Sequence, residues 1–225
     1  MVPWKLLDHA KVPGSEGELR LYSRGEEFSI RIDGRELMNS RVYASEDALS
    51  ELGCARVKDR KQPRVLIGGL GCGFSLATAL AALPQDGQVV IAELVPKVVE
   101  WNRSVLGHLA GHPLRDVRVR VRVDDVGAVV REKAAAYDAI LLDVDNGPEG
   151  LTREQNDWLY GPTGLRYAHT ALRPRGVLGI WSARPNTTFA RRMRGSGFDV
   201  DEIQVGARGK GRGAQHTLWI GTRGR

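Results

Sequence analysis

Residues 64–74 read Arg64-Val65-Leu66-Ile67-Gly68-Gly69-Leu70-Gly71-Cys72-Gly73-Phe74, a short apolar run that leads into a glycine-rich turn. The run predicts a buried β-strand, and the alanine-rich residues 75–83 predict a helix behind the turn. Gly69, Gly71 and Gly73 let the backbone approach a ligand that any Cβ would push away, and the helix N-terminus offers that ligand unpaired amides. A strand, a glycine loop and a helix in this order are typical of nucleotide-binding α/β domains.

A carboxylate follows at the end of the next predicted strand. Residues 88–93 form an apolar strand that ends in Glu93, about twenty residues after the glycine loop, the position at which such folds bind a ribose. An ionised glutamate can accept hydrogen bonds from both ribose hydroxyls. The spacing Gly-x-Gly-x-Gly differs from the Gly-x-Gly-x-x-Gly of NAD sites and favours S-adenosylmethionine. The sequence therefore predicts a nucleoside site at Gly69, Gly71, Gly73 and Glu93.

Strands and helices alternate regularly after the linker at residues 59–63. Apolar segments predict parallel strands, and two further segments predict a closing hairpin; their residues are 65–67, 88–93, 117–123, 137–143 and 177–181, then 198–205 and 216–220. This order predicts an α/β fold with a doubly wound, Rossmann-like sheet and an antiparallel edge formed by the C-terminal hairpin.

The N-terminal part of the chain has a different pattern. Residues 18–22 and 27–32 alternate apolar with polar side chains, which predicts a small β meander, and residues 45–52 resemble a helix capped by Ser45. We therefore divide the chain into an N-terminal unit, 1–58, and an α/β domain, 59–225. Because so small a meander is not stable alone, we expect it to pack on the larger domain or on a partner subunit.

Composition excludes few classes of protein. The chain has 225 residues, 42% apolar and 27% charged, and 33 Lys and Arg against 27 Asp and Glu give a net charge of +6. The Arg residues are spread along the chain rather than clustered, so we do not predict nucleic-acid binding. Since the sequence shows neither an apolar run of about 18 residues nor a basic-then-apolar leader, we expect a cytoplasmic protein without a membrane span.

The cysteines and histidines predict neither a disulfide nor a metal site. Cys54 and Cys72 are eighteen residues apart, and a disulfide would tie the glycine loop shut, so we expect reduced thiols. His108 and His112 are four residues apart, but Pro113 places them at a helix end rather than along one helix face. We therefore expect a surface histidine pair and no metal.

Carboxylates follow two further predicted strands, at the sheet edge where α/β folds bind ligands. One of Asp124 and Asp125 is expected to cap the helix that follows, and the other to accept a hydrogen bond from an adenine amine. Asp143 and Asp145 lie in the turn 143–148, Asp-Val-Asp-Asn-Gly-Pro, and are the candidate catalytic residues. Asp143 could hold or deprotonate an amine or hydroxyl nucleophile. The alternative is an Asx-rich turn that only joins strand to helix.

The chain resembles the spermidine synthase-like family within the class I S-adenosylmethionine-dependent methyltransferase fold, over almost its full length. The matching segments are residues 65–73, 92–94, 123–125 and 137–143. The resemblance implies that Glu93 binds the ribose, that Asp125 binds the adenine amine, and that Asp143 faces the acceptor nucleophile. It also implies a homodimer.

The chain departs from the family where an aminopropyl group is bound. The family's loop reads Gly-Gly-Gly-Asp-Gly-Gly, and its Asp, which binds the aminopropyl ammonium, is replaced by Gly71. Loss of such a counter-ion costs roughly 1.5 to 3 kcal/mol, about ten- to a hundredfold in affinity. The family's Tyr-Gln pair is replaced by Ser45 and Glu46, and its Asp-Ser-Ser-Asp-Pro turn keeps only the first Asp, Asp143, in place.

These departures favour a methyltransferase that moves methyl from S-adenosylmethionine to an amine, hydroxyl or carboxylate of a small or medium acceptor. The alternative enzyme is a polyamine aminopropyltransferase that uses decarboxylated S-adenosylmethionine and holds a polyamine with other carboxylates, such as Asp145, Glu149 or Glu46. A third hypothesis is a non-catalytic nucleoside-binding module. Both enzyme hypotheses predict an acidic pocket on a basic protein.

Overall fold

The structure, a computed structural model, describes residues 2–144, 157–209 and 212–224. Its strands are β1 (Lys5–Lys11), β2 (Glu18–Arg24), β3 (Glu27–Ile32), β4 (Arg35–Asn39), β5 (Arg64–Gly68), β6 (Gln88–Glu93), β7 (Val119–Val123), β8 (Tyr137–Leu142), β9 (Leu172–Ser182), β10 (Phe198–Gly206) and β11 (Gln215–Arg223). Its helices are α1 (Ala44–Ala55), α2 (Phe74–Ala82), α3 (Pro96–Arg103), α4 (Val126–Glu132), α5 (Asp157–Tyr160), α6 (Pro162–Ala171) and α7 (Thr187–Gly195).

A seven-stranded sheet in the order β10-β11-β9-β8-β5-β6-β7 forms the centre of the α/β domain. Strands β5 to β9 are mutually parallel, and β11 pairs antiparallel with both β9 and β10. Val65, Leu66 and Ile67 of the central strand β5 are fully buried, as expected of a parallel strand that is covered on both faces. The doubly wound sheet with an antiparallel C-terminal edge is therefore confirmed.

Helices cover both faces of this sheet. Side chains of α1, α2 and α3, such as Leu49, Leu76 and Val98, pack in one apolar core. Side chains of α4, α6 and α7, such as Val129 and Phe189, pack in a second core on the other face. No helix among the described residues is long and apolar enough to cross a membrane.

The N-terminal meander contains four antiparallel strands, in the order β1-β2-β3-β4, rather than the two that the sequence predicts. A two-residue turn joins β3 to β4, and both of its residues, Asp33 and Gly34, have positive φ angles, 47° and 78°. Leu21 and Ile30 of this small sheet are buried in the same core as Ile67 of β5. The meander therefore packs on the α/β domain, as one of the two expected arrangements requires.

Helix α1 begins differently from the prediction. Its N-cap residue is Tyr43, which makes no side-chain capping bond, so the expected cap at Ser45 is wrong. The Ser45 hydroxyl instead bonds to side chains of β9 and β11. The helix packs closely on the large sheet, because a Cβ added at Gly53 would lie within 2.4 Å of Leu141 Cδ2. Helix α1, assigned by sequence to the N-terminal unit, thus shares the core of the α/β domain.

Candidate active site

A cavity of about 340 Å³ lies between the N-terminal meander and the carboxyl ends of β5, β6 and β8. Its lining includes five of the residues that the sequence predicts for a nucleoside and transfer site: Gly69, Gly71, Glu93, Asp125 and Asp143. The meander contributes apolar side chains and Glu36, while α1, β9 and β11 contribute Ser45, Glu46, Trp181 and His216. This placement at the carboxyl ends of parallel strands is the usual ligand site of an open α/β sheet.

Gly69 and Gly71 form the cavity side of the glycine loop. Gly69 has a φ of +87°, and a Cβ there would lie 2.7 Å from the backbone oxygen of Asp143. Gly71 has a φ of +53°, and a Cβ there would lie 2.9 Å from Met38 Sδ on β4. The loop therefore requires glycine at 69 for backbone approach, while the space beyond Gly71 is filled by a flexible apolar side chain.

Gly73 shapes the loop but does not line the cavity. It is the N-cap residue of α2, with a left-handed φ of 87°. A Cβ at this position would lie 3.0 Å from Asn102 Oδ1, and the same amide group donates through Nδ2 to the Gly71 carbonyl at 2.8 Å. The structure thus places Gly73 in the turn that begins α2, outside the lining of the cavity.

Glu93 ties the glycine loop to the end of β6. Its Oε2 accepts a hydrogen bond from the Leu70 amide at 2.9 Å, and its Oε1 accepts one from the Val95 amide at 2.8 Å. The residue is only 7% exposed, and its exposed edge lines the cavity. Each carboxylate oxygen can accept a further bond, so this geometry fits the two hydroxyls of a ribose.

The two neighbouring carboxylates after β7 have separate roles. Asp125 caps α4, because its Oδ1 accepts from the Ala128 amide at 3.0 Å, and it also lines the cavity. Asp124 is outside the cavity lining and its Oδ2 accepts from Arg122 Nη2 at 2.9 Å. The helix cap and the carboxyl group that lines the cavity are therefore one residue, Asp125, whereas Asp124 lies outside the lining.

Asp143 lies immediately after β8 and faces the cavity. Its amide donates to the Gly68 carbonyl at 3.1 Å, which continues the pairing of β8 with β5. Its Oδ2 accepts from Ser75 Oγ at 3.1 Å. Burial raises the pKa of Asp143 to about 6, although the Ser75 hydrogen bond opposes this shift. The second candidate catalytic residue, Asp145, lies outside the described residues, as does Glu149.

Glu46, in the first turn of α1, is the second carboxyl group near Asp143. Burial raises its pKa well above the usual value, and the charges of Asp143 and Asp47 raise it further. Its carboxyl group makes no hydrogen bond or ion pair with any residue that the structure describes. Two interacting carboxyl groups at the base of one cavity favour retention of a shared proton or recruitment of a cation.

A hydrogen-bonded group of three side chains, which the sequence does not predict, also lines the cavity. Trp181 Nε1 donates to Ser45 Oγ at 3.0 Å, and Ser45 Oγ lies 2.8 Å from His216 Nδ1. Since Trp181 can only donate, the serine proton is available to His216, whose pKa is lowered by burial. Ser45 Oγ thus accepts from Trp181 and shares a second hydrogen bond with His216 Nδ1. The only signal in the sequence is that Trp181 ends a predicted strand.

The positions of the His, Cys, Asp and Glu side chains show whether a metal ion could be bound by the described residues. No group of three or more His, Cys, Asp or Glu side chains is placed there to hold a metal ion. His108 packs edge-on against Phe28, with 5.7 Å between ring centroids.

The spermine/spermidine synthase domain matches residues 48–189, more than half of the chain. The chain belongs to this family. The matched residues contain the glycine loop, Glu93, Asp125 and Asp143, whereas Glu46 and His216 lie outside them. Membership confirms the spermidine synthase-like resemblance.

The relatives that match this chain are described as polyamine aminopropyltransferases. Polyamine aminopropyltransferases of Mycobacterium tuberculosis (strain H37Rv) and Mycobacterium bovis are 29% identical over 199 residues, which is 84% of this chain and 34% of each relative. The chain thus spans about a third of the length of the curated relatives that it matches. Neither the family nor these relatives are described as methyltransferases, so the first hypothesis, methyl transfer, gains no support from them.

Solved structures share the fold. Spermidine synthase from Thermotoga maritima aligns with a TM-score of 0.77 at 15% identity, over 97% of this chain and 73% of that one. A spermidine synthase in complex with the transition state analogue AdoDATO aligns with a TM-score of 0.76 at 14% identity, over 97% and 72%. The spermidine synthase family fold therefore extends beyond the matched domain to nearly the whole chain.

Proposed function

We propose that this chain is an aminopropyltransferase, which moves the aminopropyl group of decarboxylated S-adenosylmethionine to an amine acceptor. The observation that carries the proposal is the pair of carboxyl groups, Glu46 and Asp143, in one cavity beside the glycine loop. Carboxylates in a buried cavity favour a cationic ligand and disfavour an anionic one. Family membership and the names of the mycobacterial relatives support the same activity.

The residues at the carboxyl ends of β5, β6 and β7 fit the nucleoside part of this donor. Glu93 would accept from the ribose hydroxyls, Asp125 would accept from the adenine amine, and Gly69 leaves room for close backbone approach. When bound, the donor supplies a carbon activated by an adjacent sulfonium. The protein contributes by orienting the acceptor nitrogen toward that carbon.

Asp143 is the candidate catalytic residue for proton transfer. The acceptor nitrogen uses its lone pair for the new C–N bond, while the electrons of the broken C–S bond leave with sulfur as a neutral thioether. An alkylammonium acceptor must first lose one proton to free that lone pair, and the Asp143 carboxylate faces the cavity in which that nitrogen would lie. Burial raises the pKa of the Asp143 carboxyl group. The raised pKa is closer to the value that suits a general base working near neutral pH.

Methyl transfer to an amine is the second candidate function, because one specific feature favours it. Gly71 provides no carboxylate for an aminopropyl ammonium, and Met38 Sδ occupies the adjacent space. An apolar wall at this point imposes no charge preference on the tail of the donor. The same carboxyl pair would still bind a cationic acceptor.

Product analysis separates the two functions. The purified protein is incubated with putrescine or spermidine and with either S-adenosylmethionine or its decarboxylated form, and products are identified by mass spectrometry. We expect an added aminopropyl group from the decarboxylated donor, and its loss in Asp143→Asn but not in Asp124→Asn. An added methyl group from the intact donor would instead support the second candidate, and nucleoside binding without any product would support a binding module.

A further inference from the structure

The cavity is acidic although the protein is basic. The described residues that line it include no Lys or Arg, despite the net charge of +6 for the whole chain. Five carboxyl groups line it: Glu36, Glu46, Glu93, Asp125 and Asp143. The ionisable side chains of the lining are thus acidic, opposite in sign to the net charge of the chain.

Four of these carboxyl groups already accept hydrogen bonds from the protein. Glu36 accepts from Ser29 Oγ at 2.6 Å and from Asn39 Nδ2 at 2.8 Å. Glu93 accepts from two backbone amides, and Asp125 and Asp143 each accept one bond, as described above. Only Glu46, within the described part of the chain, has no such donor. Among the five carboxyl groups, that of Glu46 is thus the one without a hydrogen-bonding partner in the described residues.

The position of Glu46 is fixed from both sides along α1. Ser45 is bonded to Trp181 and His216, and Asp47 Oδ1 accepts from Thr78 Oγ1 at 2.6 Å on α2. These bonds hold the first turn of the helix against β9, β11 and α2. The Glu46 carboxyl group is therefore presented to the cavity by a rigid helix turn.

We propose that Glu46, together with Asp143, binds an alkylammonium group of the substrate, and that binding releases a proton from this pair. Position 71, where the family has an Asp, is a glycine beside Met38 and provides no negative charge. Glu46 would supply the missing negative charge. This inference rests on the proposed function for the location of the site. Its chemistry, a primary alkylammonium, is shared by an amine acceptor and by the aminopropyl chain of the donor.

Proton release follows from the groups that face Glu46. Asp143, Asp47 and the buried Cys72 thiol interact with it, and none of them supplies a positive charge. The nearby His216 imidazole has a pKa lowered by burial, so it is neutral near neutral pH. A bound cation would be the first positive charge in this group. It would lower the raised pKa values of Glu46 and Asp143, and the proton they hold would leave.

Calorimetry with three probes tests the inference. Putrescine, titrated in the presence of 5′-methylthioadenosine, and decarboxylated S-adenosylmethionine each carry an alkylammonium, whereas 5′-methylthioadenosine alone does not. Each titration is repeated near neutral pH in two buffers that differ in ionisation enthalpy, which counts released protons. We expect Glu46→Gln to weaken at least one alkylammonium probe tenfold or more and to reduce its proton release, while 5′-methylthioadenosine binds as in the wild type.

The control is Glu51→Gln, which removes an exposed carboxyl group of the same helix that does not line the cavity. We expect it to retain tight binding of the alkylammonium probes. Weakening of putrescine would assign the ammonium to the acceptor, and weakening of the decarboxylated donor would assign it to the donor. Unchanged affinities in Glu46→Gln, no proton release in the wild type, or no binding of either probe would overturn the inference.

The outcome is distinct from that of the product analysis. If no aminopropyl product forms but Glu46→Gln still weakens alkylammonium binding, the proposed function fails and the inference stands. If product forms and Glu46→Gln binds both probes normally, the function stands and the inference fails.

Discussion

Trp181 Nε1 donates a hydrogen bond to Ser45 Oγ at 3.0 Å, and this bond joins the end of β9 to the first turn of α1. Ser45 also bonds to His216 of β11, so one small hydroxyl connects three elements of the fold. The residue that follows it, Glu46, is the carboxyl group to which we assign substrate binding. The packing of the helix and the chemistry of the cavity are thus linked through adjacent residues.

Ser45→Ala tests this link through stability. The substitution removes the partner of a tryptophan N–H and of a histidine nitrogen, so we expect a loss of about 1 to 3 kcal/mol in the free energy of unfolding. Chemical denaturation measures it. Ser196→Ala serves as control, because Ser196 Oγ bonds only to the Arg192 carbonyl near the end of α7 and its loss should cost less. Equal losses in the two variants would contradict the assigned role of Ser45.

Glu93→Gln tests the nucleoside site. Glu93 accepts from two backbone amides, so the substitution replaces one acceptor oxygen by a donor and weakens both the loop and the ribose contact. We expect the dissociation constant for 5′-methylthioadenosine to rise at least tenfold, about 1.4 kcal/mol. Isothermal titration calorimetry is the measurement, with Asp124→Asn, outside the cavity, as the matched control. An unchanged constant in Glu93→Gln would remove the nucleoside assignment.

The pH dependence of turnover tests Asp143. A general base must be deprotonated, so with a pKa of about 6 we expect kcat/KM to fall as the pH drops through that value. Because the Ser75 hydrogen bond lowers this pKa, Ser75→Ala should shift the fall toward higher pH. Asp143→Asn should lower kcat about 10²- to 10⁴-fold. A profile that Ser75→Ala leaves in place would argue against Asp143 as the titrating group.

Glu46→Gln has an expected effect on stability that is opposite to its effect on binding. A carboxyl group with a raised pKa in the folded state favours folding at low pH, and this contribution is lost as the pH rises through the folded-state pKa. At neutral pH the wild-type protein must keep a buried carboxyl group either protonated or charged, and both cost free energy of folding, whereas glutamine is always neutral. We therefore expect the variant to be more stable than the wild type at neutral pH and the difference to shrink in acid, as measured by urea denaturation. A variant that is less stable at neutral pH would contradict burial as the cause of the shift.

The sequence predicts the parts of the fold that depend on local pattern. β5, β6 and β8 are continuous apolar runs because both faces of each strand are covered. Glu93 ends β6 and Asp143 follows β8, so the sequence shows both carboxylates by their position. Strands β1 and β4 were missed because they have no fully buried side chain and hence no alternating pattern. The Asp33-Gly34 turn was the available signal for β4.

Tertiary contacts account for most of what the sequence could not predict at the site. Ser45 looked like a helix cap, but its hydroxyl has partners more than a hundred residues away in the chain. Asp124 pairs with Arg122, whereas Asp125 caps α4 and lines the cavity, and adjacent identical residues give no signal of this difference. Met38 beside Gly71 is a contact between the two sheets, and no spacing in the sequence contains it.

A double substitution at Gly71 and Met38 tests whether this contact sets donor preference. Gly71→Asp alone should improve binding of the decarboxylated donor less than it does in the Met38→Ala background, because its Cβ would lie 2.9 Å from Met38 Sδ and that flexible side chain must first move aside. Met38→Ala removes the obstacle, and a charge-assisted bond to the donor ammonium is worth roughly 1.5 to 3 kcal/mol. We therefore expect the double variant to bind this donor about ten- to a hundredfold more tightly than Met38→Ala does.

The comparison of all four proteins makes this a double-mutant cycle. Calorimetry with the decarboxylated donor gives the coupling, and 5′-methylthioadenosine, which has no ammonium, should show no gain. Because the φ of Gly71, +53°, is in the left-handed region that Asp tolerates better than most residues, the backbone should accept the change. Additive effects of the two substitutions would mean that Met38 does not compete for the space beside Gly71. In that case Met38 would not affect how the donor ammonium is bound.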